Sequence, residues 1–218
     1  MYLTTKTNIE TDWTQIAALA KEGRLAVGDE ITDALKSGEP ITYVVAHITE
    51  EYVHFVSKDC LKQKYPWNKN ESHQQNPGIF RDSYLCKTLN ETVWDLLPDG
   101  LQAVITPREC IQIKDAGEIR FPLKLWLPTE YEVFGKTWAC GIQEGEQFEI
   151  FQDRRNRTKG AGHKSSWDAW WTMSSGGNNT GSASDIAYQS IVNYFGGDRT
   201  SYFANQHVVP LCFSIRRG

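Results

Sequence analysis

The last third of the chain is framed by Trp167-Asp168-Ala169-Trp170-Trp171-Thr172-Met173-Ser174-Ser175 and Val208-Val209-Pro210-Leu211-Cys212-Phe213-Ser214-Ile215. Both are apolar and strand-like, and they frame a polar segment rich in Gly, Asn, Ser and Tyr that cannot form a hydrophobic core. Recognition residues usually lie on polar connecting segments held by a rigid frame, and tyrosine-rich surfaces are typical of binding sites. The layout therefore favours a binding surface over a catalytic pocket.

Inside this frame, the apolar residues before Gly196-Gly197-Asp198 predict an internal strand pair joined by a turn. That pair is expected to comprise Ile186, Ile191, Val192, Tyr194 and Phe195, with the apolar side chains facing inward and the end of the strands carrying contact residues. Trp170 and Trp171 are adjacent, so in a strand they point to opposite faces. One of them is predicted to lie in the core and the other at the surface or at an interface.

The N-terminal part of the chain predicts a helix followed by a β-hairpin. Asp12 and Gln15 resemble a capping box at the start of the helix, and Gly23 can end it. β-branched and aromatic runs at 41–47 and 52–56 predict the hairpin. His47 and His54 lie in it, and without carboxylate or cysteine partners they are read as facing or edge histidines rather than a metal site.

The middle of the chain alternates short elements with loops. A second helix is predicted from Ser83 to Leu97, ended by turn chemistry at Pro98-Asp99-Gly100. A short helix is predicted after Thr129, ended by Gly135. A short strand and turn are predicted at 25–30, and short strands at 104–107, 111–113 and 123–128. Two convincing helices among short strands indicate an α+β fold. Residues 1–60 are expected to be integral to the same domain as a core at 61–218.

Composition and charge limit the classes of function. The chain has 218 residues, of which 40% are hydrophobic and 23% charged, as in a folded protein. A formal net charge of -4 argues against non-specific nucleic-acid binding. The local basic residues are expected to form a solvated loop rather than a phosphate site. They are Arg154, Arg155, Arg157 and Lys159.

Targeting signals and cysteine pairing are not indicated by the sequence. The N-terminus lacks the apolar run of a signal peptide, and no segment is apolar enough to cross a bilayer, so folding in a bacterial cytoplasm without membrane insertion is expected. The five cysteines are odd in number and form no Cys-x-x-Cys pair. They are read as reduced, mostly buried thiols.

Five blocks, in order over residues 80 to 215, carry a resemblance to a known family. They are Ser83–Asn90, Leu125–Gly135, Gly145–Phe151 with Asn156-Arg157, Trp170–Ser175 and Val208–Ile215. Together they resemble an uncharacterised domain family frequent in bacterial prophages and gut-associated phages. The chain departs from the family's pattern at Met173, Ser175 and His207. Those departures concern local loop conformation more than the fold.

That family is similar to the C-type-lectin-like fold, which is shared with formylglycine-generating enzymes and phage receptor-binding proteins. The resemblance implies two helices around small twisted antiparallel sheets, long structured loops, and a last strand beside the centre of the sheet. It also implies a virion-associated role in adhesion, receptor binding or decoration of a tail or capsid.

An enzymatic alternative has weaker support in the residues. The formylglycine-generating relatives use a pair of cysteines near the C-terminus, whereas here Cys212 stands in an apolar strand and is read as inert. His207 and Asp168 are available to a hydrolase, but no motif frames a serine beside them. No catalytic residue, metal ion or cofactor is predicted.

The predicted ligand-binding residues lie between the two framing strands. They are Asn178, Asn179, Tyr188, Asn193, Tyr194, Arg199, Tyr202 and Asn205. Tyrosine gives broad contact area at modest entropic cost, and asparagine gives adaptable hydrogen bonds. The expected partner is a bacterial surface glycan or protein, or another virion protein. An assembly module that packs against identical subunits is the main alternative, and a homo-oligomer stays open.

Overall fold

The computed structural model describes residues 11–69, 79–114, 117–138, 143–161, 168–175 and 188–218. Within these ranges the chain forms short α-helices and β-strands in four small antiparallel sheets, which confirms the predicted α+β class. Two long helices and a short one after Thr129 were expected, and the described residues contain four. They are α1 (Trp13–Lys21), α2 (Tyr84–Thr88), α3 (Asp99–Val104) and α4 (Glu130–Phe134).

The strands of the described residues, in chain order, are as follows. They are β1 (Glu30–Ala34), β2 (Pro40–Ile48), β3 (Tyr52–Cys60), β4 (Tyr65–Pro66), β5 (Arg108–Lys114), β6 (Gly117–Leu123), β7 (Trp170–Ser175), β8 (Tyr188–Val192), β9 (Asp198–Tyr202), β10 (Gln206–His207) and β11 (Pro210–Arg216). Two of the sheets are two-stranded, β5 with β6 and β4 with β10. No helix of the described residues is long and apolar enough to span a membrane.

The largest sheet has the order β1-β2-β3-β11 and joins the two ends of the chain. The predicted hairpin is confirmed, and His47 pairs with His54 across it with stacked rings. The C-terminal strand β11 pairs with β3 and forms the outer strand of this sheet, so the expectation that it returns beside the centre is wrong. On its other edge, β11 forms isolated bridges with Ile105 and Trp126.

An aromatic cluster fills the space between α1 and this sheet. Trp13 lies 5.7 Å from both Tyr43 and Phe213, and Phe55 stacks on Phe213 at 5.1 Å, measured between ring centroids. The predicted N-cap is confirmed, because the Asp12 side chain accepts hydrogen bonds from the first turn of the helix. This cap sets the start of α1 and thereby seats Trp13 in the core.

The three-stranded sheet β7-β8-β9 holds the Trp-Trp pair. Both tryptophans have 0% exposure, so the expectation that one faces solvent or an interface is wrong. The reason is that β7 is covered on both faces. Trp170 packs on Phe151 and Trp171 on Trp67, each with ring centroids 6.0 Å apart. Each indole N–H also donates to a backbone carbonyl.

The long helix predicted from Ser83 to Leu97 is broken. After α2 the backbone passes through a π-helical turn at Leu89–Val93 and a 3-10 turn at Trp94–Leu96. The Asn90 side chain hydrogen-bonds both the N–H and the carbonyl of Leu125, so it fastens this irregular turn to the chain after β6. Pro98 precedes a new helix, α3, instead of ending structure in a turn.

Several predicted strand boundaries were also wrong. The strand expected at 25–30 begins only at Glu30, and that expected at 104–107 is the end of α3 followed by a single bridge. The strand expected at 123–128 is replaced by the end of β6 and an isolated bridge. By contrast α4 is confirmed, with Thr129 and Glu132 forming a capping box and Gly135 ending it at φ +65°.

Candidate binding site

The structure distributes the predicted ligand-binding residues over the two ends of the β8–β9 hairpin. Asn178 and Asn179 lie outside the described residues. Tyr188, Tyr202 and Asn205 lie at one end, and Asn193 and Tyr194 at the other. The two ends of β8 are separated by about 14 Å, because an extended strand rises about 3.4 Å per residue. The prediction of one continuous surface therefore becomes two candidate surfaces.

The first surface is the turn Asn193–Gly197, here called the aromatic turn. The exposed fraction is 52% for Tyr194 and 64% for Phe195, and their ring centroids lie 4.2 Å apart. Tyr194 was predicted as a ligand-binding residue and is exposed, whereas the expectation that Phe195 faces inward was wrong, because the ladder of β8 ends at Val192 and the turn projects past it. Two adjacent large rings thus face solvent together.

Hydrogen bonds within the aromatic turn hold these rings in a defined place. The backbone N–H of Asn193 donates to the Gly197 carbonyl at 2.8 Å, and Gly196 N–H donates to the Asn193 carbonyl at 2.8 Å. The Asn193 side-chain oxygen accepts from the N–H of Phe195 and of Gly197, at 2.9 and 3.1 Å. Asn193, predicted as a ligand contact, is therefore committed to the turn itself and supports its neighbours.

The aromatic turn is also anchored to residues 154–159, here called the basic segment. Arg154 Nε donates to the Phe195 carbonyl at 2.9 Å. Gly196 has a φ of +71°, and a Cβ atom there would meet the Arg154 carbonyl oxygen at 2.9 Å. Glycine is thus required both for the conformation and for the close approach. Lys136 adds an ion pair to Asp198 at the base of the turn, at 3.3 Å.

The second surface lies at the other end of the hairpin. Tyr188 pairs in register with Tyr202, with ring centroids 6.2 Å apart, and Tyr188 is 48% exposed. Asn205 donates its side-chain N–H to Ser201 Oγ at 3.0 Å. Arg199 is exposed and pairs with Ile191, so it lies near the aromatic turn and not at this end, on the opposite face of the hairpin from the tyrosine pair. The second surface therefore consists of the tyrosine pair and Asn205, and it is separate from the aromatic turn.

A cleft opens on the far side of the basic segment. It has a volume of about 450 Å³ and lies between β2 and β3 on one side and residues 150–159 on the other. Its apolar lining includes Val44, Val56 and Phe151. The basic segment thus has two contacts, since Arg154 holds the aromatic turn while Arg155 and neighbouring residues line the cleft.

The sequence predicted that Lys159 belongs to a solvated loop, and this prediction was wrong. It is 4% exposed, and its ammonium donates to the carbonyls of Ser57 at 2.5 Å and Lys58 at 3.2 Å. A β-bulge between Pro210 and Cys212 interrupts the ladder opposite these carbonyls. The ammonium fills that gap. Burial lowers the pKa of Lys159, a shift that the nearby Cys60 partly opposes.

Two histidine–serine pairs bear on the enzymatic alternative. His207 Nε2 lies 2.7 Å from Ser201 Oγ, and His54 Nδ1 lies 2.9 Å from Ser214 Oγ. Both serines are buried, at 8% and 0% exposure, which favours structural roles. Burial lowers the pKa of His207 to about 4, with the Lys64 charge adding to the shift.

The described cysteines are reduced and buried, and Cys140 lies outside the described residues. Burial raises the pKa of the Cys212 thiol well above its ordinary value, so the thiol stays protonated and is a poor nucleophile. Within the described ranges no group of three or more His, Cys, Asp or Glu side chains is placed to hold a metal ion.

With the geometry in place, comparison with known proteins identifies the class. Residues 48–216 match a family described as a domain of unknown function, DUF6273. The match covers more than half of the chain, and the protein belongs to this family, as the resemblance to an uncharacterised family predicted. Neither the curated proteins nor the solved structures contain a match to the chain.

Sequence reasoning missed Phe195 as a surface residue. The signal was its position directly before Gly196-Gly197, because a two-glycine turn ends a strand and frees the preceding side chain from the ladder. Trp138, 52% exposed, was missed as well. The basic segment was recognised only as a charge run. Its contacts with the turn and the cleft depend on residues more than 35 positions apart in sequence.

Proposed function

We propose that this chain is a non-enzymatic binding module of a phage or prophage particle, which attaches through the aromatic turn to a glycan on a bacterial surface. The observation that carries the proposal is the exposure of Tyr194 and Phe195 side by side on a turn that is already ordered. The C-type-lectin-like fold and the virion setting are part of the proposal. They are supported by the five ordered sequence blocks described above.

Exposing these two rings to water is unfavourable, and the fold does not require their exposure. Three other aromatic side chains are fully buried, Trp170 and Trp171 in the neighbouring strand β7 and Phe203 directly after β9. A paired, solvent-facing aromatic surface is typical of a contact site. The hydrogen bonds of Asn193 and the anchor from Arg154 already fix the turn, so little conformational entropy is lost on binding.

A glycan fits the local chemistry better than an extended apolar partner. A sugar ring presents an apolar C–H face edged by hydroxyl groups, which suits an aromatic surface flanked by polar and charged side chains. The aromatic turn offers two rings, with Arg154 beside them and Asp198 paired to Lys136 at its base. The patch is small and mixed in polarity. That combination favours a carbohydrate over a large protein interface.

The direct test is binding of the wild-type chain and variants to an array of bacterial surface polysaccharides and peptidoglycan fragments. We expect Y194A/F195A to weaken binding at least tenfold, or about 1.4 kcal/mol. The matched control is Tyr188→Ala, which removes a similarly exposed tyrosine 48% open to solvent at the other end of the hairpin. That variant should bind like the wild type.

Three outcomes would contradict the proposal. Unchanged binding by Y194A/F195A, or loss of binding by Tyr188→Ala alone, would place the contact elsewhere. Binding to host proteins with no glycan bound would exclude the glycan. The assembly alternative uses the same exposed rings, so sedimentation of both proteins is needed. A wild-type oligomer that becomes monomeric in the double variant would favour assembly instead.

A further inference from the structure

Three arginine side chains border the aromatic turn. Arg154 Nε donates to the Phe195 carbonyl at 2.9 Å. Arg157 lies against the turn, because a Cβ atom at Gly196 would be 3.3 Å from its Cβ. Arg199 is exposed on β9 at the same end of the hairpin. Within the described residues none of these three guanidinium groups forms an ion pair, so basic groups surround the two exposed rings.

The carboxylates near these arginines already have partners. Asp198 pairs with Lys136 at 3.3 Å at the base of the turn, and Asp153 pairs with Arg155. Among the described residues these two aspartates and their two cations offset each other, and the three arginines of the turn remain as a positive excess. The whole chain has a formal net charge of -4, so this excess is a local feature of the surface.

Two of the three arginines are close enough to repel each other. Burial lowers the pKa of Arg157, and the Arg154 charge lowers it further, whereas Asp198 and Asp153 act in the opposite direction. A neighbouring like charge disfavours the charged form of a basic group. An anion that lies beside both guanidinium groups would relieve this repulsion.

Both guanidinium groups are held in place and still have donors to spare, since a guanidinium group carries five N–H donors. Arg154 uses its Nε for the Phe195 carbonyl, and Arg157 uses its Nε for the Phe151 carbonyl at 2.6 Å. Within the described part of the chain their terminal amino groups make no hydrogen bond. Terminal amino groups of a fixed guanidinium can bind one carboxylate or phosphate through two parallel hydrogen bonds.

We propose that the glycan bound by the aromatic turn is acidic, with a sugar ring on Tyr194 and Phe195 and a carboxylate or phosphate against Arg154. This inference rests on the proposed function and names the class of glycan. Arg157 and Arg199 add positive potential around the contact, which attracts an anionic chain from solution. The rings supply stacking, and the arginines supply selectivity for charge.

The test compares two matched pairs of probes by calorimetry on the full chain. One pair is an oligogalacturonate and its carboxyl-reduced, neutral form, and the other is a phosphorylated mannose oligosaccharide and its phosphatase-treated form. We expect at least one acidic probe to bind at least about tenfold more tightly than its neutral partner, and this preference to shrink as ionic strength rises.

The two pairs distinguish the sources of the anion. A preference confined to the oligogalacturonate identifies a carboxylate, and one confined to the mannose probe identifies a phosphate. Equal affinity within both pairs, or no binding of any probe, would overturn the inference. A thymidine oligonucleotide that binds as tightly as the acidic glycans would overturn it too, because the arginines would then select charge without the sugar.

Variants in the arginines separate charge from turn structure. Arg154→Gln should reduce the acidic-over-neutral preference about fivefold, and Arg199→Gln about twofold. The matched control is Arg155→Gln, in the same segment but paired with Asp153 and 89% exposed, and it should keep most of the preference. Loosening of the turn would weaken both members of a pair equally, so the ratio reports the charge. An unchanged ratio in Arg154→Gln, or an equal loss in Arg155→Gln, would contradict the site.

This inference and the proposed function fail separately. If the wild type binds both members of each pair equally and Y194A/F195A loses both, the turn binds glycans without selecting charge, and only the inference is wrong. If the wild type prefers the acidic probe and Y194A/F195A keeps its full affinity, the rings are not the contact, and the proposed function is wrong.

Discussion

Two groups of aromatic side chains in this protein have opposite surroundings. Between α1 and the four-stranded sheet, Trp13, Tyr43 and Phe213 are at most 2% exposed and contact each other edge to face. In the aromatic turn of the three-stranded sheet, Tyr194 and Phe195 are more than half exposed. The same residue types therefore stabilise the fold in one region and form a candidate contact surface in the other.

The difference is one of backbone support rather than of composition. The buried group lies on paired strands and on α1, so each ring meets another element. The exposed pair lies beyond the end of a ladder, on a turn closed by Asn193 and held by Arg154. A rigid turn at the end of a sheet can present rings to a ligand without cost to the core.

The largest contrast is expected between two phenylalanines. Phe213→Ala removes a ring with 0% exposure and should lower the free energy of unfolding by about 3–5 kcal/mol. Phe195→Ala removes the same atoms from a ring 64% exposed and should change it by less than about 0.5 kcal/mol. Urea denaturation of both variants measures the contrast. Similar losses for the two would show that the aromatic turn is part of the core.

A second contrast concerns ion pairs. Arg108 and Glu132 form a buried pair, and Glu132 also accepts the Thr129 N–H of the capping box at 2.8 Å. Glu132→Gln leaves the Arg108 charge buried and should cost about 3 kcal/mol of stability. Glu109→Gln breaks an exposed pair with Arg120 and should cost about 0.5 kcal/mol or less. Equal effects in the same denaturation assay would be inconsistent with a buried charge at Arg108.

A third and smaller effect is expected with pH. Burial lowers the pKa of His207 to about 4, and burial together with the Arg108 charge holds the pKa of His54 well below its ordinary value. In the unfolded chain both titrate near 6.5, so below that pH the unfolded state binds protons that the folded state does not. Stability should therefore be full above about pH 6.5 and decline toward pH 4.

Denaturation midpoints at pH 7, 6 and 5 measure this decline. His207→Gln should reduce the slope because one titrating group is lost, whatever its effect on stability at pH 7. A stability that is flat or rises as the pH falls over this range would contradict the burial of both imidazoles. The effect should be about 1 kcal/mol per pH unit or less for each histidine.

Local signals predicted the parts of the fold that depend on near neighbours. The β2–β3 hairpin follows from alternating β-branched residues, α1 from the Asp12 cap, and α4 from Thr129 with Glu132. Each of these depends on residues close in sequence. The turn at Gly196 was predicted from neighbouring residues in the same way, but the exposure of the Phe195 ring before it was not.

The sequence patterns did not predict contacts between residues that are far apart in the chain. Lys159 stands among arginines and reads as a solvated residue, yet a bulge in β11 opposite Ser57 leaves carbonyls that its ammonium satisfies. Trp171 reads as a candidate surface residue, yet Trp67, distant in sequence, covers it. The helix from Ser83 is broken where Asn90 binds the backbone of Leu125. None of these partners is near in sequence, so no local period or spacing could reveal them.

Binding of a glycan at the aromatic turn is best measured by NMR chemical-shift mapping with the glycan fragment that binds best on the array. We expect perturbations at Tyr194 and Phe195, with the core rings of Trp13 and Phe213 unaffected. Perturbations confined to Tyr188 and Tyr202, or a ligand that leaves the aromatic turn unchanged at saturation, would contradict this expectation.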